Sequence, residues 1–401
     1  MTGHSTDVLV VGLGPAGSAV AIRLARAGLR VTAIDRAVFP REKICSEFLN
    51  PETVRQLELL GVADQLRPVA VPLHGARVFG PRANALTGLF REAPGSRHEA
   101  GMSIPRRILD QTLVEHARAA GVHVLVRCRL VDLLRDGDRV TGGIVARGDR
   151  IETMRARVTI GADGLHSVTA RLLGGRIREP LCRYGFVAHV TDVPDVGFTA
   201  EMHVGRGLYV GLNTIGPGLT NVAVVASRGT VAAVRGNPTA FWAAALERFP
   251  AVRDRVRPDR IARPVLTSGP FATRSRRLVA DGALLIGDAA GFFDPFTGEG
   301  VCTALREAEM AAPVVAAALG ASAAPTAWQL DRYRILRRRT FAGKWAVERL
   351  IGYGMLAPAL FDRSVGRLER RGMSHTLIGV TGEIVPARAV LNPGFLMAMV
   401  V

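Results

Sequence analysis

Three glycines near the amino terminus have the spacing of a phosphate-binding loop. They form G-x-G-x-x-G within TDVLVVGLGPAGSAVAIRLARAGLRVTAIDR, and an acid, Asp35, follows 18 residues after Gly17. The first glycine permits a tight turn, the second lets the backbone approach a pyrophosphate, and the third lets a helix pack on a strand. An acid after the next strand accepts hydrogen bonds from ribose hydroxyls. The residues predicted to bind this dinucleotide are Gly12, Gly14, Pro15, Ala16, Gly17, Asp35 and Arg36.

A second acid at a strand end lies much later, in RLVADGALLIGDAAGFFDPFTGEGVCTALREAEMAA. An apolar run there ends at Gly287 and Asp288, and a glycine-rich loop leads into a helical pattern. The carboxylate can bind polyol hydroxyls, and the helix amino terminus can stabilise negative charge on a ring. FAD needs both groups because it has a ribityl chain and a ring that becomes anionic on reduction, whereas NAD has no ribityl chain. The residues predicted to bind it are Gly287, Asp288, Pro295, Gly298, Gly300 and Val301.

The elements that must position these motifs are of two kinds. DVLVVG and GALLIGD are continuous apolar runs of the kind found in buried parallel strands. The segments RYGFVAHV, AEMHVG, GLYVGLNTIG and TNVAVVAS are short strand patterns between Gly and Pro turns, which favour an antiparallel sheet. RYRILRRRTFAGKWAVERL has aromatic residues at helical intervals and predicts a helix with one face in the core.

A third motif, RVTIGADGLHSVTARLLGG, lies between the first two. Its strand pattern ends at Gly161, and Asp163-Gly164 leads into a helical pattern. Taken alone, this D-G is equally well explained as a simple turn.

The three motifs, in this order, resemble those of the flavoprotein aromatic hydroxylase superfamily with the p-hydroxybenzoate hydroxylase fold, which includes geranylgeranyl reductases and flavin-dependent halogenases. The resemblance extends over roughly Val8 to Leu350. It implies FAD as the cofactor and NAD(P)H as a transient reductant. It also implies that Asp163 lies near the FAD and that Arg106, in the R-x-x-x-D pattern of SIPRRILDQTL, reaches it. Leu130 is expected at the same site.

The expected fold is therefore α/β (α+β), with an FAD-binding Rossmann-like parallel sheet, an antiparallel-sheet substrate domain and a C-terminal helical region. We expect the FAD-binding domain to be discontinuous, with residues 1–70, 100–178 and 270–325. The substrate domain is expected to contain residues 71–99 and 179–269, and the helical region residues 326–401.

The segment FPREKICSEFLNP, named the Lys-Cys segment from here on, contains Lys43, one of only two lysines among 52 basic residues. It resembles the K-x-C-G-[DE] segment of geranylgeranyl reductase-like members, with Ser46 in place of Gly, and the resemblance implies a position beside the flavin. Lys43 can offer an ammonium group to phosphate or flavin oxygens. Cys45 is either a reactive thiol or a packing residue. We expect Lys43, Cys45 and Ser46 to contact the cofactor and Glu47 to face the substrate.

The substrate is expected to be an apolar or aromatic small molecule, because the pocket-forming strands are rich in Val, Leu, Ala and Gly. Tyr209 and Phe296 are predicted to face it, although Tyr209 is equally compatible with sheet packing. The sequence contains no metal-ligating cluster and no Ser/His/Asp arrangement, so we expect no metal.

Composition limits the partners and the compartment. The formal net charge is +17, but the basic residues are spread along the chain and are almost all Arg, so nucleic acid is not expected. The basic C-terminal region could contact the surface of a membrane or a carrier protein, and both alternatives stay open. Four isolated cysteines argue against zinc or a redox pair, and MTGHSTD has no signal-peptide pattern, so we expect a cytoplasmic protein.

Two reactions fit these features. The main expectation is an NAD(P)H-using monooxygenase that hydroxylates an apolar or phenolic, polyketide- or lipid-like molecule of secondary metabolism. The alternative is a geranylgeranyl reductase-like flavoprotein that reduces an alkene. The Lys-Cys segment favours the reductase, whereas VGLN in place of the reductases' W-x-F-P favours the monooxygenase. The absence of W-x-W-x-I-P argues against a halogenase.

Overall fold

The computed structural model describes residues 4–82, 84–96, 100–232 and 236–400. Outside the described residues lie the first three residues of MTGHSTD, residues 83, 97–99 and 233–235 of the predicted substrate domain, and Val401 at the end of the predicted helical region. The strands are β1 His4–Val11, β2 Val31–Ile34, β3 Phe48–Leu49, β4 Val71–Leu73, β5 Gly75–Phe79, β6 Ala85–Leu89, β7 Gly101–Ser103, β8 His123–Leu125, β9 Cys128–Asp136, β10 Arg139–Arg147, β11 Arg150–Gly161, β12 Arg176–Arg178, β13 Arg183–Thr191, β14 Thr199–Gly205, β15 Leu208–Gly216, β16 Leu219–Ser227, β17 Ile261–Ser268, β18 Thr273–Ser275, β19 Val279–Ala280, β20 Ala283–Leu285 and β21 Gly291–Phe292.

The helices share the remaining regular structure with a few short 3₁₀ turns. They are α1 Pro15–Arg26, α2 Pro51–Leu60, α3 Ala63–Leu66, α4 Arg106–Ala119, α5 Val168–Leu172, α6 Arg228–Val231, α7 Pro238–Leu246, α8 Pro250–Arg253, α9 Gly300–Ala321, α10 Ala327–Gly354, α11 Pro358–Arg370, α12 Ser374–Thr381 and α13 Pro393–Val400.

One sheet has five parallel strands in the order β20-β11-β1-β2-β8, extended by antiparallel β19, β10 and β9. Val8, Leu9 and Val10 of β1 are fully buried because helices or strands cover both faces, as the continuous apolar run predicts. The carboxyl ends of β1, β11 and β20 meet at one edge. The three sequence motifs that follow these strands are therefore brought together, at the place where open parallel sheets bind ligands.

A second sheet has seven strands in the order β17-β13-β16-β15-β14-β5-β6. All neighbours are antiparallel except β14 and β5, which pair in parallel. Trp242 of α7 is fully buried among this sheet's apolar side chains, and its Nε1 donates to the Val222 carbonyl at 3.2 Å. Two small three-stranded sheets, β12-β18-β21 and β3-β7-β4, complete the strand pairing of the described residues.

The carboxyl-terminal part is helical. A capping box formed by Thr326 and Gln329 starts α10, whose buried stripe includes Tyr333 and Phe341. Helices α11 and α12 pack on β6, and α13 packs on α11. The predicted fold class, a Rossmann-like parallel sheet with a largely antiparallel second sheet and a C-terminal helical region, is confirmed. Within the described ranges, no helix is long and apolar enough to cross a bilayer.

Gly17 is expected to be essential for packing α1 on the sheet. A Cβ atom on Gly17 would lie 1.8 Å from the Gly12 carbonyl oxygen, so we expect Gly17→Ala to lower the free energy of unfolding by about 3 kcal/mol. Gly14→Ala is the matched control, because its Cβ would approach only Arg41 Nη2, at 3.7 Å. Urea denaturation followed by circular dichroism measures both, and equal losses would contradict this packing.

Candidate active site

Each of the three glycines in the loop has a different role: one turns the chain, one allows close packing, and one leaves space for a ligand. Gly12 has φ +99°, a conformation that few other residues adopt, and it turns the chain out of β1. Gly17 allows contact between α1 and that turn, so it supports the cavity without lining it. At Gly14 a side chain would meet only Arg41, which leaves room for a ligand next to the backbone. The turn at Gly12 and the packing at Gly17 are as the spacing predicts, and the approach of a pyrophosphate to Gly14 stays a prediction.

Asp35 braces the glycine loop from the end of β2. Its Oδ2 accepts from the Leu13 backbone N–H at 2.8 Å, and its Oδ1 accepts from the Ala37 N–H at 2.8 Å. The carboxylate is buried apart from its face on the cavity, which exposed Arg36 also lines. Asp35 therefore holds the loop rigid, and its remaining lone pairs are available to a ligand hydroxyl.

Arg106 and Arg41 share the carboxylate of Asp110. Arg106 binds Asp110 through two bonds of 2.9 Å, and Arg41 Nη2 lies 3.2 Å from Asp110 Oδ2. Burial lowers the pKa of Arg106, but Asp110 and the adjacent Cys45 thiol outweigh it and raise that pKa above its usual value. Arg41 was not singled out from the sequence, although it lies in the Lys-Cys segment. Its buried Nε has no partner among the described residues.

Lys43 and Asp288 line the same cavity as opposite charges without a direct bond. Burial lowers the pKa of Lys43, and neighbouring Arg106 lowers it further. Burial raises the pKa of Asp288, which Lys43, Arg106 and Arg176 partly offset. Among the described residues, the Lys43 ammonium donates to no side chain or backbone group, and the Asp288 carboxylate accepts from none. Both are therefore available to a bound molecule.

Asp163 has a clear structural task in addition to lining the cavity. Its Oδ1 accepts from Ser167 Oγ at 2.5 Å, and its Oδ2 accepts from the N–H groups of Val168 and Thr169 at 2.7 and 3.0 Å. The carboxylate thus satisfies the first turn of α5. The D-G motif is more than a turn, because it fixes a helix at the edge of the cavity.

The Lys-Cys segment spans the two sheets. Lys43 Nζ lies 3.8 Å from the position that a Cβ would take on Gly164, beside the parallel sheet. Ile44 Cδ1 lies 3.7 Å from the equivalent position on Gly185, in the seven-stranded sheet. Asn221 Nδ2 donates to the carbonyls of the next two residues, Cys45 at 3.2 Å and Ser46 at 2.7 Å. The segment is therefore anchored where the two halves of the cavity meet.

The prediction that Glu47 faces the substrate is wrong. Its side chain is fully buried and does not line the cavity. Oε1 accepts from the Arg106 backbone N–H at 2.8 Å, at the start of α4, and Oε2 lies 2.7 Å from His189 Nε2. These bonds hold Glu47 at φ +57°, a conformation costly for a residue with a side chain. Glu47 therefore connects α4 to β13 of the seven-stranded sheet. No spacing in the sequence indicates its distant partner His189.

Tyr209 and Phe296 both line the cavity and touch each other edge to face, with ring centroids 5.1 Å apart. The Tyr209 hydroxyl donates to Asp294 Oδ1 at 2.8 Å, and Arg183 Nη1 binds Asp294 Oδ2 at 2.5 Å. Burial, together with the Asp294 charge, raises the pKa of Tyr209 well above its usual value. The aromatic ring, rather than an ionised oxygen, is what Tyr209 offers to a ligand.

The cavity has a volume of about 510 Å³ and continues from the glycine loop to the seven-stranded sheet. Its far part is mainly apolar, and α12 contributes residues that no sequence motif indicated. The side chains there include Val78, Met202, Val225, Phe271, Phe292 and Ile378. Of the predicted site residues, all except Gly17 and Glu47 line the cavity, including Leu130, Pro295, Gly298, Gly300 and Val301.

The residues at the glycine-loop end fit FAD. Gly14 leaves space against the backbone, and the positive groups of Arg41 and Lys43 suit a pyrophosphate. The carboxylate of Asp288 is available to a polyol chain. The start of α9, at Gly300 and Val301, presents backbone N–H groups that suit an anionic ring.

Comparison with known proteins agrees with this geometry. Residues 5–348 match the family described as FAD binding domain. A digeranylgeranylglycerophospholipid reductase of Methanothrix thermoacetophila is 31% identical over 326 residues, which cover 78% of each chain. A menaquinone reductase of Mycolicibacterium smegmatis is 30% identical over 332 residues, which cover 77% of this chain and 76% of the other.

A solved structure has the same fold. It is a geranylgeranyl bacteriochlorophyll reductase-like protein of Thermoplasma acidophilum, with TM-score 0.75 and 21% identity, matched over 99% of this chain and 96% of the other. The chain therefore belongs to the FAD-binding domain family, in the geranylgeranyl reductase-like branch of the p-hydroxybenzoate hydroxylase-fold superfamily, and is an FAD-dependent oxidoreductase.

Proposed function

We propose that this oxidoreductase reduces carbon–carbon double bonds in the isoprenoid chain of a membrane lipid. The observation that carries the proposal is one continuous cavity, which joins a dinucleotide loop to an apolar compartment across the Lys43–Ser46 segment. The names of the two relatives, a digeranylgeranylglycerophospholipid reductase and a menaquinone reductase, support reduction over the monooxygenation that we expected first.

The chain's own residues have three tasks in such a reaction. Bound FAD, once reduced, supplies hydride chemistry, and we propose NAD(P)H as its reductant. The apolar wall around Phe271 and Phe292 would bury an uncharged chain and exclude water from it. The two hydrogen bonds from Asn221, and the bond from the Arg106 backbone N–H to Glu47, would hold the Lys-Cys segment in a fixed position between cofactor and substrate.

Anaerobic turnover tests the proposal. We expect FAD-loaded enzyme, reduced with NAD(P)H or dithionite under nitrogen, to add two hydrogens per double bond to a geranylgeranyl-bearing phospholipid. Mass spectrometry of the product measures this addition. A parallel reaction under labelled oxygen is the control. Label in the product, with no turnover under nitrogen, would reject the reductase and restore the monooxygenase.

Asp288 is expected to contribute to FAD affinity. Asp288→Ala removes a charged carboxylate that would accept hydrogen bonds from FAD. A hydrogen bond to a charged group contributes about 1.5–3 kcal/mol, so the Kd for FAD should rise at least about tenfold. Titration of apoprotein with FAD, followed by flavin fluorescence, measures the Kd. Asp149→Ala, in the exposed turn between β10 and β11, is the control. Equal Kd values for the two variants would remove Asp288 from the cofactor site.

We also propose that an exposed face of α10 contacts anionic lipid. From Trp328 to Arg339, exposed side chains three or four residues apart on this face alternate between apolar and basic types, and the end of α10, the turn after it and the start of α11 add only apolar ones. Such a face suits the boundary of a membrane with anionic headgroups, because arginines bind phosphates while apolar groups enter the acyl region. The exposed residues, in chain order, are Trp328, Arg332, Ile335, Arg339, Leu350, Tyr353, Leu356 and Leu360.

Vesicle co-sedimentation tests this surface. We expect binding to phosphatidylcholine vesicles that contain phosphatidylglycerol, weaker binding to phosphatidylcholine alone, and release by salt. Ile335→Asp and Leu356→Asp should each weaken binding about tenfold, because each would remove one exposed apolar side chain that enters the acyl region on binding. Ile151→Asp, at a residue 64% exposed on β11, is the matched control. Equal effects of all three substitutions would reject α10 as the contact.

A further inference from the structure

We propose that Glu307 and Arg176 are positioning residues for the cofactor, because they hold the Gly287–Asp288 turn so that the Asp288 carboxylate faces bound FAD. Neither side chain is among the described residues that line the cavity. The inference rests on Asp288 binding the ribityl chain of FAD, and it does not depend on which substrate is reduced.

The Asp288 side chain depends on its backbone for its position. Its carboxylate lines the cavity and accepts a hydrogen bond from none of the described residues, so no group of the protein fixes it directly. Gly287 precedes it with φ +61°, in the left-handed region, two residues after β20 ends. The orientation of this short turn therefore decides where the carboxylate points, and two buried contacts support the turn.

Glu307 supports the turn from α9. Its side chain is fully buried, and its Oε2 accepts from the Gly287 backbone N–H at 2.6 Å. The Tyr333 hydroxyl donates to the same oxygen at 3.1 Å, and Arg337 Nε donates to Oε1 at 2.6 Å. All three partners are donors, so this place suits an ionised carboxylate with two acceptor oxygens. Helix α10, which carries Tyr333 and Arg337, thus orients the acid that holds Gly287.

Arg176 supports the same turn from β12. Its Nη2 donates to the Asp288 carbonyl at 2.9 Å, and its Nη1 donates to the Ala289 carbonyl at 3.3 Å. Nη2 also donates to Thr273 Oγ1 at 2.7 Å, on the neighbouring strand β18, which holds the guanidinium in place. Burial raises the pKa of Asp288, and the charge of Arg176 is one of those that lower it. One cation therefore fixes two consecutive carbonyls and favours the ionised form of the acid between them and the cavity.

The two contacts divide the backbone of the turn between them. Glu307 takes the first N–H of the turn, and Arg176 takes its last two carbonyls. Both leave the Asp288 carboxylate available to the hydroxyls of a ligand. A charged acceptor that is already in place contributes more to affinity, because binding does not then have to order it. Loss of either contact should therefore weaken the binding of FAD through Asp288.

Titration of full-length apoprotein with FAD and with ADP tests the positioning role. ADP has the adenosine and pyrophosphate of FAD but no ribityl chain or ring, so its binding does not need Asp288. We expect Glu307→Gln and Arg176→Met each to raise the Kd for FAD about fivefold and to leave the Kd for ADP unchanged. Glutamine has one acceptor oxygen where Gly287 and Arg337 both donate, and methionine has no donor for the two carbonyls.

Control variants and a second background separate positioning from stability. Glu309→Gln on α9 and Arg178→Met on β12 change the same residue types on the same elements and should leave both Kd values unchanged. In an Asp288→Ala background, Glu307→Gln and Arg176→Met should raise the Kd for FAD no further, because the carboxylate that they place is gone. If one of these two variants fails to fold, the other decides, since each should show the whole pattern alone.

The outcomes separate this inference from the proposed function. An unchanged Kd for FAD in either folded variant, an equal loss of ADP affinity, or a further loss in the Asp288→Ala background would overturn the inference. An Asp288→Ala variant that binds FAD as tightly as the wild type would also overturn it. A wild-type enzyme that binds FAD but forms no saturated product would overturn the proposed function alone, because the Kd values do not depend on turnover.

Discussion

The carboxylate of Glu47 joins three parts of the molecule that are far apart in the chain. Through Oε1 it holds the first turn of α4, which carries Arg106, and through Oε2 it meets His189 of the seven-stranded sheet. Its own backbone belongs to the Lys-Cys segment. The position of this segment relative to both halves of the cavity therefore depends on one buried acid, and a buried acid is tolerated only when its oxygens are satisfied.

Asn221 extends the same constraint to the neighbouring residues. Because it donates to two consecutive carbonyls, the seven-stranded sheet fixes the backbone on which Cys45 and Ser46 stand. A side chain on a segment held in this way keeps its orientation towards a bound ring and a substrate. The cavity is thus one compartment built by two sheets, and its junction is set by buried hydrogen bonds.

The features that could be predicted from sequence are those encoded locally. The glycine spacing, the strand-end position of Asp288 and the apolar runs of β1 and β20 each reflect the geometry of a single turn or strand. Glu47 was misjudged because its role depends on His189, 142 residues away. The contribution of Ile378 from α12 was missed for the same reason, since helical packing on β6 leaves no motif in the sequence.

The parallel pairing of β5 with β14 has a consequence for how the chain acquires its structure. The β5–β6 hairpin is synthesised long before β14, and among the described residues β14 alone pairs with the other edge of β5. During translation the backbone groups on the open edge of β5 stay unpaired until more than a hundred further residues have been made. Such distant strand pairing is slow, so the open edge of β5 is a place where a nascent chain can aggregate until β14 has been made.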